Sequence, residues 1–301
     1  MKRITLLGLG LLLCVQLQAQ DYVDIVKLSR NNVTLGNLDN DSETSINNTN
    51  LEIYYPTRIN ENLVVLTGLT AENTRLNIAS GADRSNLTMT RLNLGVKYTH
   101  SEKWSGTYVL LPKLASDFED VSGSDFQMGA LALLGYQKSE MWNVKFGVYA
   151  SSEFFGATIT PLIGFWHRSR DKKFYLNATF PIRADANYAL TESFSVGADL
   201  LTSIKSYNLA ENDAYVQEES IRFAVYASYA FLDNALIVRG RVGYDTTDYG
   251  LYSESDTIGA QVLTFPLAGD DRTRLNSEFD AALYVGADLI YRFDLSKENA
   301  K

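Results

Sequence analysis

Residues 278–293 read EFDAALYVGADLIYRF, a stretch that alternates between large apolar residues and small or charged ones. The odd-numbered positions carry Phe279, Leu283, Val285, Leu289, Tyr291 and Phe293. The even-numbered positions include Asp280, Gly286, Asp288 and Arg292. A period of two predicts an extended strand whose two faces meet different surroundings.

The length of this stretch indicates where such a strand would lie. Strands of soluble sheets usually have about five or six residues, whereas a tilted strand needs roughly nine to eleven to cross a bilayer. Aromatic residues also gather at one end, as they do at a membrane interface. We therefore predict a membrane-spanning β-strand with its odd face in lipid and its even face in a watery lumen.

The start of the chain has the layout of a cleaved secretory signal peptide. Lys2 and Arg3 precede an apolar run over residues 4–17, and Ala19 closes it. This pattern predicts a signal peptide over residues 1–19 and one mature domain over residues 20–301. Cys14 is the single cysteine and falls in the removed segment, so we expect no disulfide in the mature protein.

Composition favours a barrel over a bundle of membrane helices. No later stretch approaches the roughly eighteen consecutive apolar residues of a membrane helix, yet the chain has 18 Tyr, 14 Phe and 20 Gly. A chain without such helices can cross a membrane only as a closed barrel. The formal net charge of −9 argues against nucleic acid as a partner.

Short polar turns and longer breaks alternate along the chain. The turns are residues 58–62, 100–103, 138–140, 168–172, 190–193 and 232–234. The breaks are residues 37–48, 77–85, 117–124, 155–157, 208–216 and 246–276. This asymmetry is typical of bacterial outer-membrane barrels, in which the short turns and both termini lie in the periplasm.

Counting the segments between these breaks predicts an all-β, antiparallel transmembrane barrel of about fourteen strands. Residues 173–190 are interpreted as two short strands that meet at Pro181, because proline cannot donate to a ladder. An even count is required when both termini lie on one side. Twelve strands remain an alternative if residues 22–36 only pack against the wall.

The alternation also predicts which charged residues line the lumen, since charges on the lipid face are costly. The candidate lumen-lining residues are Arg183, Asp185, Asp199, Lys205, Arg222, Arg239, Arg241, Asp280, Asp288 and Arg292. Arg91, Lys97, Lys145 and Glu153 fall on the inner face by the same rule. In one interpretation these charges pair across the lumen. In the other, a basic strip of Arg222, Arg239, Arg241 and Lys205 attracts anionic solutes.

Several short apolar motifs recur along the chain: Ala19-Gln20, Ile53-Tyr54-Tyr55-Pro56, Leu66-Thr67-Gly68-Leu69, residues 110–116 and Thr179-Phe180-Pro181. With these motifs the sequence resembles a family of Bacteroidota outer-membrane β-barrels that carries only a domain-of-unknown-function label. The resemblance covers nearly the whole mature chain. It implies a barrel in the outer membrane and supplies no catalytic residues.

Catalytic and metal sites are not indicated. His100 directly precedes Ser101, so their side chains would point to opposite faces of a strand and could not share a proton. The acidic stretches 117–125 and 245–256 lack the spacing of a calcium loop. We therefore predict no enzyme, metal or cofactor.

The functional hypothesis is a passive channel or transporter for small hydrophilic or amphipathic solutes, because about fourteen strands leave room for water. A plugged structural or adhesion barrel is the alternative, and a barrel-embedded lipid-modifying enzyme comes third. The expected partners are outer-membrane lipid, periplasmic chaperones, the barrel-assembly machinery and a small solute. Residues 246–276 are partly apolar, so we expect an external hairpin, a partner contact or a constriction folded into the lumen.

Overall fold

The computed structural model describes residues 22–37, 40–78, 85–210 and 213–294. The predicted signal peptide over residues 1–19, including Cys14, lies outside the described residues. Within the described part of the chain, no helix is both long and apolar enough to cross a membrane.

Nearly all of the described residues belong to β-strands or to the turns between them. The strands are β1 (Tyr22–Asn37), β2 (Asn40–Arg58), β3 (Leu63–Leu76), β4 (Ser85–Thr99), β5 (Trp104–Ser116), β6 (Phe126–Ser139), β7 (Trp142–Glu153), β8 (Gly156–Arg168), β9 (Phe174–Phe180), β10 (Arg183–Ala189), β11 (Phe194–Leu209), β12 (Ala214–Phe231), β13 (Leu236–Asp245), β14 (Asp248–Ser253), β15 (Gly259–Val262), β16 (Phe265–Pro266) and β17 (Ala282–Asp294). A single turn of 3-10 helix, Gly123–Asp125, precedes β6.

Fourteen of these strands form one closed antiparallel wall. Strands β1 to β13 pair with their neighbours in chain order, and β17 pairs with both β13 and β1. The predicted count of about fourteen is confirmed. The alternative of twelve is wrong, because β1 lies in the wall between β2 and β17.

The two ends of the barrel differ. The first and last wall strands meet through Tyr22 and Asp294 at the end that carries the short turns, which we call the turn end. The longer connections, including the one between β13 and β17, gather at the opposite end, which we call the loop end. The predicted meeting of two short strands at Pro181 is confirmed by the β9–β10 hairpin.

The predicted alternation of faces in the last strand is confirmed. Leu283 and Val285 are more than half exposed on the outer face, whereas Asp288 and Ile290 are buried. Exposed apolar residues continue this outer face around the wall and include Leu94, Leu110, Val148, Ile163, Val225 and Val242. The exposed aromatic residues of the turn end include Tyr55, Tyr98, Trp104, Trp142, Tyr188, Phe231 and Phe293.

Two predicted boundaries are wrong. The break expected at residues 37–48 lies mostly within β2. Polar residues continue this strand because their side chains bond to neighbouring strands, as Asn48 does by donating to Glu72 over 2.8 Å. The strand expected from residue 277 begins only at Ala282, because Phe279 turns into the buried interior instead of facing outward.

The loop-end part of β11 leaves the wall and runs through the interior. The main-chain nitrogen of Ser206 donates to Glu153 on β7 over 2.9 Å, and Gln127 on β6 donates to the carbonyl oxygen of Ser206 over 3.0 Å. Lys205, on the other face of β11, bonds to Glu72 on β3 over 2.8 Å. The strand is therefore held between opposite parts of the wall.

The loop-end half of the barrel interior is packed. Residues 214–218 of β12 are buried on both faces, and β14 pairs with this part of β12. The main buried apolar cluster contains Val33, Leu35, Ile46, Leu76, Ile78, Leu87, Met89, Ala115, Tyr207, Val216, Ala224, Tyr249, Phe279 and Tyr284. These residues come from strands on opposite sides of the barrel, so the loop end has a core packed like that of a soluble domain.

The hydrogen-bonded wall is interrupted beyond the β9–β10 hairpin, because these two strands are much shorter than their neighbours. Strand β9 reaches only Ile163 of β8, and β10 reaches only Leu201 of β11. Nearer the loop end, β15 lies parallel to residues 156–159 of β8. Among the described residues, no main-chain hydrogen bond joins β8 directly to β11 there.

Candidate functional site

The inner face of the wall carries most of the candidate charged residues, and several of them are paired. Arg241 on β13 bonds to Asp288 on β17, and its guanidinium also lies 3.6 Å from Asp199 on β11. Arg222 bonds to Asp245 over 2.9 Å between β12 and β13. Each of these two arginines is therefore paired with a carboxylate on an adjacent strand.

Lys205 lies between two carboxylates inside the barrel. Its ammonium nitrogen lies 2.8 Å from Glu72 and 3.1 Å from Glu218, and both carboxylates are almost fully buried. A second buried pair joins Lys113 to Glu153 over 2.6 Å. These pairs hold β11 inside the barrel, because breaking one would leave an uncompensated buried charge.

Asp185 and Arg239 belong to a network of tyrosines. Asp185 accepts hydrogen bonds from the hydroxyls of Tyr175 over 3.0 Å and of Tyr226 over 2.5 Å. Arg239 lies over the ring of Tyr226 at 3.9 Å and donates to Ser228 over 3.1 Å. The strip predicted from Arg222, Arg239, Arg241 and Lys205 is therefore covered by carboxylates and aromatic rings.

Two further candidates lie near opposite ends of β17. Arg292 bonds to Asp24 on β1 over 2.6 Å and stacks on the ring of Tyr22, close to the turn end. Asp280 is exposed and precedes β17, so the structure does not place it in the lumen wall. The physical reason is the buried ring of Phe279, which directs the next side chain outward.

Arg183 differs from the other candidates. It is the first residue of β10, at the tip of the β9–β10 hairpin, and it is exposed. Lys145 on β7 and Lys97 on β4 also lie on the inner face, and Lys145 lies close enough to both Arg183 and Lys97 for their charges to repel it. Among the described residues, no carboxylate forms an ion pair with any of these three cations. We call Lys97, Lys145 and Arg183 the basic patch.

Sequence reasoning placed each residue of the basic patch on the inner face but did not bring the three together. The strand pairing that makes them neighbours is not encoded in the alternation. A search for inner-face cations with no acidic residue two positions away could have found Lys97 and Lys145, but not Arg183, which lies two residues from Asp185.

The connection between β13 and β17 packs over the loop end. Arg272 donates to the hydroxyl of Tyr215 over 2.8 Å and to Gln217 over 2.7 Å, and it also bonds to Asp270 over 2.8 Å. The hydrogen bond from Arg272 holds the pKa of Asp270 below its ordinary value. Since β14 lies along the inward part of β12 and β15 pairs with β16, this segment combines the predicted inward fold with a small hairpin.

The two histidines lie beside turns. The ring of His100 is 3.3 Å from the hydroxyl of Tyr108, and that of His167 stacks on Trp142. The Ser101 hydroxyl accepts a hydrogen bond from the main-chain nitrogen of Trp104 over 3.3 Å. Within the described ranges, no cluster of three or more His, Cys, Asp or Glu residues is arranged to hold a metal ion.

A family described only as a domain of unknown function, DUF6268, matches residues 18–255. This range covers most of the barrel wall. The chain belongs to this family. No curated protein matches the DUF6268 chain.

Several solved barrel structures are similar to this DUF6268 protein in outline. An outer-membrane channel from Pseudomonas putida F1 has a TM-score of 0.46 at 10% identity, covering 89% of this chain and 93% of that chain. The translocator domain of autotransporter NalP from Neisseria meningitidis has a TM-score of 0.38 at 11% identity, covering 90% and 88%. The Pseudomonas putida toluene transporter TodX has a TM-score of 0.38 at 10% identity, covering 88% and 87%. Likenesses this distant carry no functional argument.

Proposed function

We propose that this DUF6268 protein conducts small hydrophilic or amphipathic solutes across the bacterial outer membrane. The observation that carries the proposal is the basic patch on the inner face. Other charges in the lumen, such as Arg241 and Arg222, have carboxylate partners. Unpaired cations in a confined interior are costly, so a purely structural barrel has no reason to retain them.

The membrane location is supported by the outer surface. Leu110 and Val285 are more than half exposed, and such a continuous apolar belt is unfavourable in water. Exposed aromatic residues near the turn end suit a membrane interface. We place the turn end and both termini in the periplasm, with outer-membrane lipid, chaperones and the barrel-assembly machinery as partners. The Bacteroidota origin implied by the sequence motifs belongs to the same proposal.

The packed loop end favours a second candidate, a plugged structural or adhesion barrel. A solute cannot pass straight along the axis while β11 and the apolar cluster fill that half. The conduction proposal therefore requires a route that leaves the axis. The interruption of the wall beyond the β9–β10 hairpin offers one.

Planar bilayers distinguish the two candidates. The purified, folded protein is expected to give discrete conductance steps in potassium chloride, and a sample unfolded by boiling serves as the control. A folded barrel that stays silent would overturn the conduction proposal and leave the plugged barrel. Folding is verified independently by the mobility shift of unheated and heated samples in gel electrophoresis.

A further inference from the structure

The residues of the basic patch are brought together by the register of the wall. Lys145 on β7 pairs with Gly164 on β8, Gly164 pairs with Thr179 on β9, and Thr179 pairs with Arg183 on β10. The two positions between Lys145 and Arg183 therefore carry a hydrogen and a small hydroxyl side chain. Long cationic side chains can converge over such a row.

The row extends in the other direction towards Lys97. Lys145 also pairs with Gly135 on β6, Gly135 pairs with Ser105 on β5, and Ser105 pairs with Thr99 on β4. Lys97 lies two residues before Thr99 and so shares its face. Small residues again occupy the intervening positions, so no large side chain of this row separates Lys145 from Lys97.

No protein group in the described ranges neutralises this charge. The described hydrogen bond of Lys145 goes to the neutral amide oxygen of Asn177, at 3.3 Å. Asp185, two residues along from Arg183, is engaged by the hydroxyls of Tyr175 and Tyr226. Three cations on one face without an acidic partner favour an anion as the missing counter-charge.

The approach to the basic patch from the wall interruption is apolar. Ile163 and Phe180 border the hairpin on the outer face, Leu201 borders it on the inner face, and the three are 53%, 39% and 42% exposed. Leu201 is on the inner face by alternation with Asp199 and pairs with Arg183, so an exposed leucine lies directly beside an exposed arginine. Apolar surface and positive charge are thus adjacent at the hairpin.

We infer that the basic patch and the apolar rim formed by Ile163, Phe180 and Leu201 bind a small amphipathic organic anion, a carboxylate on an apolar body. The carboxylate bonds to Lys145 and Arg183, with Lys97 adding positive potential. The apolar body lies along the rim, where the wall is interrupted. This inference rests on the proposed conduction and adds to it a ligand class and a route.

Ion selectivity in planar bilayers tests the anion site. Reversal potentials in a potassium chloride gradient should show preference for the anion in the wild type. The double variant Lys145→Gln/Arg183→Gln should reduce the anion-to-cation permeability ratio by about tenfold, since focused charge changes local ion concentration by at least that factor. The charge-preserving variant Lys145→Arg/Arg183→Lys should keep the preference. The matched control Arg30→Gln/Arg75→Gln removes two exposed outer cations and should leave it unchanged.

Potassium hexanoate and potassium gluconate test the apolar part of the site, because both anions are six-carbon carboxylates and only hexanoate has an apolar body. Hexanoate should be the more permeant. Leu201→Trp should reduce hexanoate permeability, whereas Val225→Trp on the lipid-facing side of β12 should not.

The outcomes separate the two proposals. Absence of current with every salt overturns conduction itself. Current without anion preference, or with the same preference in the Lys145→Gln/Arg183→Gln variant, overturns the anion site while conduction stands. Equal permeability of hexanoate and gluconate overturns the apolar rim and the side route.

Discussion

Ser206 on β11 and Glu153 on β7 are joined by two hydrogen bonds across the barrel interior. The main-chain nitrogen and the hydroxyl of Ser206 donate to the same carboxylate oxygen, over 2.9 Å and 2.8 Å. The other oxygen of Glu153 faces Lys113 at 2.6 Å. One buried carboxylate therefore fixes β11 inside the barrel and balances a buried ammonium group.

Replacing Glu153 by Ala should both destabilise the barrel and loosen its loop end. The loss leaves Lys113 buried without a partner, which costs about 3–5 kcal/mol. We expect a lower unfolding temperature in detergent, measured by circular dichroism, and a larger single-channel conductance. Glu119→Ala, in an exposed loop, is the control. In the double variant Lys113→Met/Glu153→Met, the unfolding temperature should largely return to that of the wild type while the conductance stays high. If neither the single nor the double variant changes the conductance, β11 does not obstruct the barrel.

Replacing Val285 by Arg should cost about 2–4 kcal/mol, because the side chain would face lipid near the middle of β17. The measurement is urea-induced unfolding in lipid vesicles. The comparison variant Gly286→Ser lies on the inner face, where a Cβ would meet the side-chain oxygen of Asn31. Since that side chain can rotate away, we expect a smaller cost than at Val285. Equal losses at both positions would contradict the face assignment.

Deleting residues 257–268 should widen the wall interruption. This cut removes β15, which lies along residues 156–159 of β8, together with its hairpin partner β16, and leaves β14 in place. We expect a larger conductance with unchanged heat-modifiable gel mobility. An unchanged conductance in a folded deletion variant would show that β15 does not narrow the route.

The contact between Asp270 and Arg272 should weaken in acid. The pKa of Asp270 is lower in the folded protein than in the unfolded chain. The contact therefore stabilises the loop fully at a pH above the ordinary carboxyl pKa of about 4, and this stabilisation is lost as the pH falls through the lower pKa of the folded protein. A spin label at Asp271→Cys should gain mobility between pH 6 and pH 2. When Asp270→Asn is added, the same label should already be mobile at pH 6. If the mobility of the label is independent of pH whether or not Asp270 is replaced, the contact does not hold the loop.

The wall was predictable from the sequence because its signal is local. Alternation in β17 separates Val285 from Asp288 with no knowledge of other strands, and Pro181 marks the β9–β10 hairpin through its missing donor. Polar strands were harder to predict. Around Asn47 and Asn48, β2 is held by hydrogen bonds to its neighbouring strands and shows no apolar periodicity.

The packed interior and the basic patch were not predictable in the same way. Lys205 and Ser206 alternate like any wall residues, and only the tertiary fold reveals that both faces of this part of β11 are buried. The contact of Lys205 with Glu72 spans 133 residues of sequence. Likewise, Lys145 and Arg183 become neighbours only through the register of three successive strand pairs.

The pairing of β1 with β17 also determines when the barrel can close during folding. Arg292 and Asp24, which bond across this pair of strands, are 268 residues apart, so the ring cannot shut until the final strand has been delivered. Until then β1 and β13 each present an open edge, a template for pairing with other chains. Contacts of such long sequence separation also form slowly. An unfinished barrel is thus an aggregation hazard for as long as its last strand is missing, and shielding its open edges from other chains is a physical requirement of this topology.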